Sequence, residues 1–367
     1  MRRVTDSRIG EVADLTARLV EFDSVNPALV PGGGGERTIA LFVADWCAAH
    51  GFEVEIVGGE RASVIARRRG SGGGRSLLVN GHLDTVGVAG MAAPFEPRIE
   101  DGRLYGRGAY DMKGAVAALL LAVADAPELR GDIVLTAVAD EELASIGTEA
   151  VLERVTADGA LVAEPTELRV AVAHRGFVGF EIETAGVAAH GSRPDLGVDA
   201  IVKMGPILVA LEQLDRRLQN GPRHPLAGSG SVHASLIEGG PEMSSFPARC
   251  LLVGERRTIP GETVDLVEDE LRGVAGRAEL RVIAAREPYE AAVEHPFVQL
   301  VGRIAGVEQP VGAPFWTDAA LIAAAGIPTI LYGPAGAGAH AEEEWVDLAS
   351  LARLREVVTR VACEWCA

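Results

Sequence analysis

The chain has 367 residues, 48% of them hydrophobic, and a formal net charge of −18. That length and apolar content support two or three domains with sizeable cores. The acid excess argues against nucleic acid or an anionic membrane as partner, because both are met by a basic face. No apolar run reaches the roughly 18 residues of a spanning helix. Met1-Arg2-Arg3-Val4-Thr5-Asp6 has an early basic pair with no apolar core behind it, so no secretory signal is expected and the default location is the cytoplasm. Four cysteines fit a reducing compartment. Cys363-Glu364-Trp365-Cys366 has C-x-x-C spacing, but Cys47 and Cys250 stand alone and supply no second pair for a zinc ribbon. The two late thiols are read as incidental.

In chain order, Ile9, Val12, Leu15, Leu19 and Val20 recur at helical spacing. Phe22-Asp23-Ser24-Val25-Asn26-Pro27 ends that helix. The run Gly32-Gly33-Gly34-Gly35 lacks the Lys-Ser/Thr of a phosphate loop and is expected to be a flexible loop before a helix around Thr38 to His50. Phe52 to Val57 and Ala62 to Arg67 read as strands. Ser76-Leu77-Leu78-Val79 reads as a buried strand and runs into Asn80-Gly81-His82-Leu83-Asp84-Thr85-Val86. Residues two apart in a strand point the same way, so His82 and Asp84 leave its end side by side. A nitrogen ligand beside a carboxylate that orients its ring is a metal-site pattern. Gly106-Arg107-Gly108 leads to Asp111-Met112-Lys113-Gly114 and an alanine-rich buried helix over Ala115 to Ala124. Asp111 falls where a helix N-cap would be, yet the glycine-rich approach lets the backbone turn tightly and aim that carboxylate elsewhere.

Asp132 to Val138 is a further buried strand, ending in Asp140-Glu141-Glu142, and Gly159 to Ala163 is another, ending in Glu164. Three apolar strands thus deliver His or acid at their carboxyl ends, the edge at which open α/β sheets bind ligands. A late fourth run, Pro328 to Pro334, is followed by His340. Consecutive acids at 140–142 repel one another unless they flank a cation. Two histidines and several carboxylates without cysteine suit zinc, with cobalt or manganese as alternatives. A two-metal site needs one His and one acid on each ion and a shared carboxylate, and one further acid must stay free to take a proton from water. Glu141 and Glu142 offer one carboxylate for each job.

The set Gly81-His82-Leu83-Asp84-Thr85-Val86, Gly106-Arg107-Gly108 through Asp111-Met112-Lys113-Gly114, Asp140-Glu141-Glu142, Glu164-Pro165-Thr166, and His340 before Glu344-Trp345-Val346 resembles the M20 family of metallopeptidases and deacylases. That group includes acetylornithine deacetylase, succinyl-diaminopimelate desuccinylase and carboxypeptidase G. The resemblance runs from Ser24-Val25-Asn26-Pro27 to the last helix. It implies that His82 and Glu164 hold one metal, Glu142 and His340 the other, and Asp111 both. It makes Glu141 the general base and Asp84 the residue that orients His82.

From about Arg175 the composition changes to alternating strands around a helix opened by Gly197-Val198-Asp199-Ala200-Ile201. By resemblance this is the family's smaller lid or dimerisation domain, and the chain is expected to be a homodimer through it. The expected division is a mixed-sheet α/β catalytic domain over residues 1–175 and 287–367, with an α+β domain inserted over residues 176–286. The resemblance further implies that His190 stabilises the oxyanion, in an active site of the partner subunit, and that Arg257 holds the substrate carboxylate, a task suited to a guanidinium fork. Ser244 stands where many members carry a substrate-contacting Asn; Asp199 replaces another frequent Asn, and Ala144 a frequent Gly. No metal ligand or base is lost. The expected protein is therefore a metal-dependent hydrolase of N-acyl amino acids carrying two divalent ions. The alternatives are an exopeptidase or dipeptidase acting on small peptides and, outside enzymes, an inactive binding protein on the same fold.

Overall fold

The computed structural model describes residues 2–367, with side chains from Ser7 onward. The chain divides into two compact units. One comprises the chain up to Val172 with Ala291–Val311 and Thr317–Ala367; the other comprises Ala173–Glu290 with Gly312–Trp316. No helix of the described residues is long and apolar enough to cross a membrane, and all four cysteines are free.

The first unit is built on a mixed sheet. Strands Ile133–Val138, Leu77–His82, Ala160–Val162 and Thr329–Leu331 lie in that order and run parallel. Ser63–Arg68 and Glu53–Val57 extend the Ile133–Val138 side in antiparallel fashion. Every residue of Leu77–His82 and Ile133–Val138 is buried, which is why these strands read as continuous apolar runs instead of alternating ones. Parallel pairing puts all four carboxyl ends on one edge. The Gly114–Asp125 helix packs beside the Leu77–His82 and Ile133–Val138 strands, and against the Arg2–Val20 and Leu348–Trp365 helices. Gly81 permits the close approach of this region to the strand: a Cβ there would lie 2.9 Å from Met112 Cε and 3.0 Å from Val116 Cγ2. Arg355 of the last helix grips Asp125 through two bonds of 2.7 and 3.0 Å.

A smaller antiparallel sheet runs Gly336–Ala337, Trp345–Asp347, Arg103–Tyr105, Arg98–Glu100. It sets the loop leaving Tyr105 beside the loop that joins Ala337 to Trp345.

Several expectations are corrected. The glycine run is packed, not free: a Cβ on Gly33 would lie 2.5 Å from Val25 O, one on Gly34 would collide with Asp23 O, and Gly35 N donates to Val25 O at 3.1 Å. Asp111, by contrast, stays off the N-cap position as its glycine-rich approach allows. Its φ of −122° and ψ of 93° are non-helical, and the helix starts at Gly114, after Lys113. The last helix runs from Leu348 to Trp365. Phe315 and Trp316 cluster with the second unit, whereas Thr317 and Asp318 belong to the first.

The second unit has a four-stranded antiparallel sheet in the order Ser231–Gly239, Arg249–Thr258, Gly176–Ala185, Glu279–Arg286. Burial alternates along Gly176–Ala185 and Arg249–Thr258. Their inner residues Val178, Phe180, Ile182 and Leu252 form one core with Met204 and Leu211 of the Ala200–Asn220 helix and Leu271 of the Val264–Ala275 helix. Asp199 caps the first of these helices, accepting from Val202 N at 2.9 Å. An N-cap takes Asp as readily as Asn.

Candidate metal centre

The carboxyl edge of the parallel strands gathers His82, Asp84, Glu141, Glu142 and Glu164, and the loops beside it add Asp111 and His340. His82 ends its strand and is 1% exposed. Its Nδ1 donates to the carbonyl oxygen of Asp84 at 2.9 Å. A carbonyl only accepts, so Nδ1 carries a hydrogen and Nε2 is the nitrogen turned to the site, where the ring in its neutral form would offer a lone pair to a cation. Nε2 lies 3.1 Å from Asp111 Oδ1 and 3.9 Å from Glu164 Oε1. The other oxygen of Asp111, Oδ2, lies 3.5 Å from His340 Nε2, which in turn is 3.0 Å from Glu142 Oε2. One carboxylate therefore faces both histidines. Ligand atoms of His82, Asp111 and Glu142 lie within 4.8 Å of one another, as do those of His82, Glu141 and Glu164.

The Asp84 carboxylate stands 3.7 Å from His82 Nδ1 and also accepts from the backbone N–H groups of Glu141 (3.1 Å) and Glu142 (3.3 Å). Asp84 thus orients the ring through its carbonyl and the Glu pair through its side chain. Asn26, fully buried, donates from Nδ2 to Asp84 and to Asp140, both at 2.9 Å. Asp140 sits at a left-handed φ of 68°, and its carboxylate turns toward Arg61 at 2.6 Å. Arg61 also forks onto the buried Glu36 through two 2.7 Å bonds. The expected repulsion along 140–142 is relieved in part by this turn, which sends one acid to a guanidinium and leaves two at the site.

Asn26, Arg61 and Glu36 were given no role by sequence reasoning. Asn26 lies in the Ser24-Val25-Asn26-Pro27 stretch that opens the resemblance, but nothing local links it to Asp84, 58 residues on. Ser24 Oγ donates to Leu83 O at 2.7 Å and Asn26 N to Thr85 O at 2.9 Å, fastening that stretch to the Asp84 loop. Asn26→Ala is expected to lower unfolding free energy by about 1.5–3 kcal/mol, because two buried carboxylates each lose a donor. Urea unfolding of the metal-free protein tests this, and an unchanged midpoint would show that the bridge adds no stability. Lys113 also lacked a role. Its buried ammonium donates to Phe22 O at 2.7 Å, and burial lowers its pKa to about 7.

The site's electrostatics reflect acids crowded around two imidazoles. Burial opposes the charged form of His82, but the Asp111 hydrogen bond and the charges of Glu164 and Glu141 outweigh it and push the ring well above its ordinary value. The hydrogen bonds that the His340 ring donates to Asp111 and Glu142 raise it to about 10. Asp111 is held well below the carboxylate range: burial alone would raise it, and the two histidines reverse that. Burial pushes Glu141 and Glu164 well up, with neighbouring carboxylates adding to the effect, and it lifts Asp84 to about 7.

The donor set fits divalent cations. Among the described residues, the ion pairs of Asp84, Asp111, Glu142 and Glu164 are all with His82 or His340. Among the described residues Glu142 Oε1 is buried without a hydrogen-bond partner, a condition that costs free energy unless a ligand or ion satisfies it.

His190, Ser244 and Arg257 all belong to the second unit. His190 is exposed, pairs in register with Ser245, and has its Nδ1 2.8 Å from Ser192 Oγ. Ser244 is exposed, and its carbonyl accepts from Gly191 N at 2.7 Å. Arg257 Nε donates to Glu255 at 2.6 Å, and the guanidinium lies over the Phe177 ring.

Parallel strands delivering histidine and acid to one edge define a metallohydrolase architecture. Residues 78–364 match the peptidase family M20/M25/M40, and the chain belongs to that family. It is a metal-dependent amidohydrolase. It is 30% identical over 328 residues to an acetylornithine deacetylase of Myxococcus xanthus, covering 84% of this chain and 85% of that one. With an acetylornithine deacetylase of Vibrio cholerae the figures are 32% over 355 residues, 91% and 92%. Among solved structures, a dinuclear metal-binding peptidase of the M20 family from Bacillus subtilis shares the fold, with a TM-score of 0.74 over 98% of this chain and 99% of that one at 16% identity.

Proposed function

We propose that the protein hydrolyses the amide bond of an N-acyl amino acid, using two divalent cations, with zinc favoured by the N/O donor set and cobalt or manganese as alternatives. The observation that carries the two-ion reading is the Asp111 carboxylate, with one oxygen toward His82 and the other toward His340. In this reading His82 and Glu164 hold one ion, Glu142 and His340 the other, and Asp111 both. When bound, such ions activate water and polarise a carbonyl oxygen. Glu141 takes the proton from the attacking water and delivers it to the leaving amine. His190 donates to the oxyanion, and Arg257 pairs with the substrate carboxylate. Ser244 contacts substrate at a position where an Asn is frequent.

The acetylornithine deacetylase relatives, aligned over more than four-fifths of the chain, support the deacylase branch. The peptidase of the same fold supports the second reading, an exopeptidase or dipeptidase. The test is a hydrolysis panel on the metal-reconstituted protein, with N-acetyl, N-succinyl and N-formyl amino acids beside free dipeptides and released amine as readout. Turnover of acyl amino acids alone supports the deacylase; turnover of dipeptides alone moves the protein to the peptidase branch.

A homodimer through the second unit completes the proposal. The edge strand Ser231–Gly239 leaves Leu236 and Ile237 each 50% exposed, and the neighbouring Ala200–Asn220 helix leaves Val202 70% exposed. Unpaired apolar edges of this kind are templates for association. Ile237→Lys is expected to shift the protein from dimer to monomer in sedimentation velocity; a monomeric wild type would remove the proposal. The four free thiols support a cytoplasmic location.

A further inference from the structure

Two residues of the centre are held by neither helix nor strand. Asp111 has non-helical dihedrals, and His340 sits at a left-handed φ of 62° with its side chain 55% exposed. His82, by contrast, ends a buried strand, and Glu164 follows one closely. Something other than the parallel sheet must therefore fix the geometry on the Asp111–His340 side.

The Arg107–Glu344 pair occupies that role. Both side chains are buried, at 2% and 1% exposure, and meet at 2.6 Å. Glu344 Oε2 accepts from Arg107 Nη1 and from Gly108 N at 3.0 Å, and Oε1 accepts from Tyr110 N at 2.9 Å and Asp111 N at 3.0 Å. Four donors saturate one carboxylate, and one of them is the backbone N–H of Asp111 itself. Arg107 spends its other donors on Gly87 O at 3.1 Å and Ala341 O at 2.9 Å. The guanidinium thus also grips the residue that follows His340.

We infer that Arg107 and Glu344 are positioning residues for the metal centre. Their ion pair ties the Asp111 loop to the His340 loop and thereby builds the cation site formed by Glu142, His340 and Asp111. The His82–Glu164 side takes its other ligands from the ends of the sheet strands and shares only Asp111 with that site. The inference rests on the two-ion reading above. A buried ion pair with a purely structural role would alter stability and leave relative ion affinities alone.

The test uses full-length protein, stripped of metal and dialysed against graded free Co2+. Bound cobalt is measured by elemental analysis, the ligand-field absorption of each ion is recorded, and thermal unfolding of the metal-free form is the control. Wild type is expected to bind two Co2+ per chain. Glu344→Gln keeps the shape but places an amide N–H2 where donors converge. It is expected to weaken the ion held by Glu142 and His340 at least tenfold, with the absorption of that ion changed, and to weaken the ion held by His82 and Glu164, which shares only Asp111 with that site, by much less. Arg107→Lys, which loses the fork onto Gly87 and Ala341 while keeping the charge, is expected to weaken the same ion and guards against a Glu344 variant that fails to fold. Two wild-type affinities in a folded variant, or parallel loss of both ions, would overturn the inference. A wild type that binds a single ion overturns the two-ion reading beneath it, and that is seen before any variant is made.

Discussion

Glu141→Ala is expected to lower kcat by about 10³-fold or more while both ions stay bound. General-base catalysis contributes roughly 10²–10⁴-fold, and no other carboxylate of the cluster is free for the task in the proposed assignment. Glu142 lies 3.0 Å from His340 and Asp111 faces both imidazoles, whereas Glu141 makes no ion pair among the described residues and lies with His82 and Glu164. Burial and Glu164 push its carboxyl well up, and positive charge at the centre would act against that shift. The informative comparison is with Glu142→Ala, which removes a proposed ligand and should cost an ion as well as turnover. Elemental analysis of the two variants beside their rates separates base from ligand. If Glu141→Ala loses an ion and Glu142→Ala keeps both, the two roles must be exchanged.

Metal affinity should rise about a hundredfold between pH 6.5 and 8.5. In the metal-free protein His340 is held up to about 10 by Asp111 and Glu142. The sign follows from linkage. A raised imidazole contributes stability fully below its ordinary pKa, about 6.5, and loses that contribution as pH climbs through about 10. A cation needs the neutral ring and so competes with the proton. At neutral pH that competition weakens binding about 10³-fold, by roughly tenfold for each pH unit below the folded pKa. His82 is shifted in the same direction, so metal uptake should release at least one proton per chain. Calorimetric titration in buffers of differing ionisation enthalpy measures both quantities. Flat affinity across this window with no proton release would contradict the picture of His340 as an imidazolium clamped between two carboxylates.

Much of the first unit was legible in the sequence for a specific reason. Strands such as Leu77–His82 and Ile133–Val138 are buried on both faces, so they appear as short apolar runs, and the residues at their ends stand out as polar breaks. The Gly176–Ala185 strand was legible for the opposite reason: one face packs on its helices and the other does not, so its sequence alternates. Where reading failed, a local rule competed with a distant partner. Asp111 falls where a cap would be, and the glycine-rich approach already lets its carboxylate point elsewhere; what no local rule reveals is that Glu344 takes its backbone N–H. The glycine run looks like a flexible linker, but the missing side chains make room for the carbonyls of Asp23 and Val25.

The sequence by itself therefore determined the types of the elements and the histidines and acids that stand at the ends of the parallel strands. Those features follow from periodicity and burial, which neighbouring residues share. Tertiary structure alone decided what each polar group bonds. It turned the Asp84 carboxylate to the amides of Glu141 and Glu142, used Asn26 to bridge Asp84 and Asp140, and closed Arg107 on Glu344 across 237 residues. A hydrogen bond forms only where folding brings donor and acceptor to about 3 Å, and no local pattern of side chains encodes that approach.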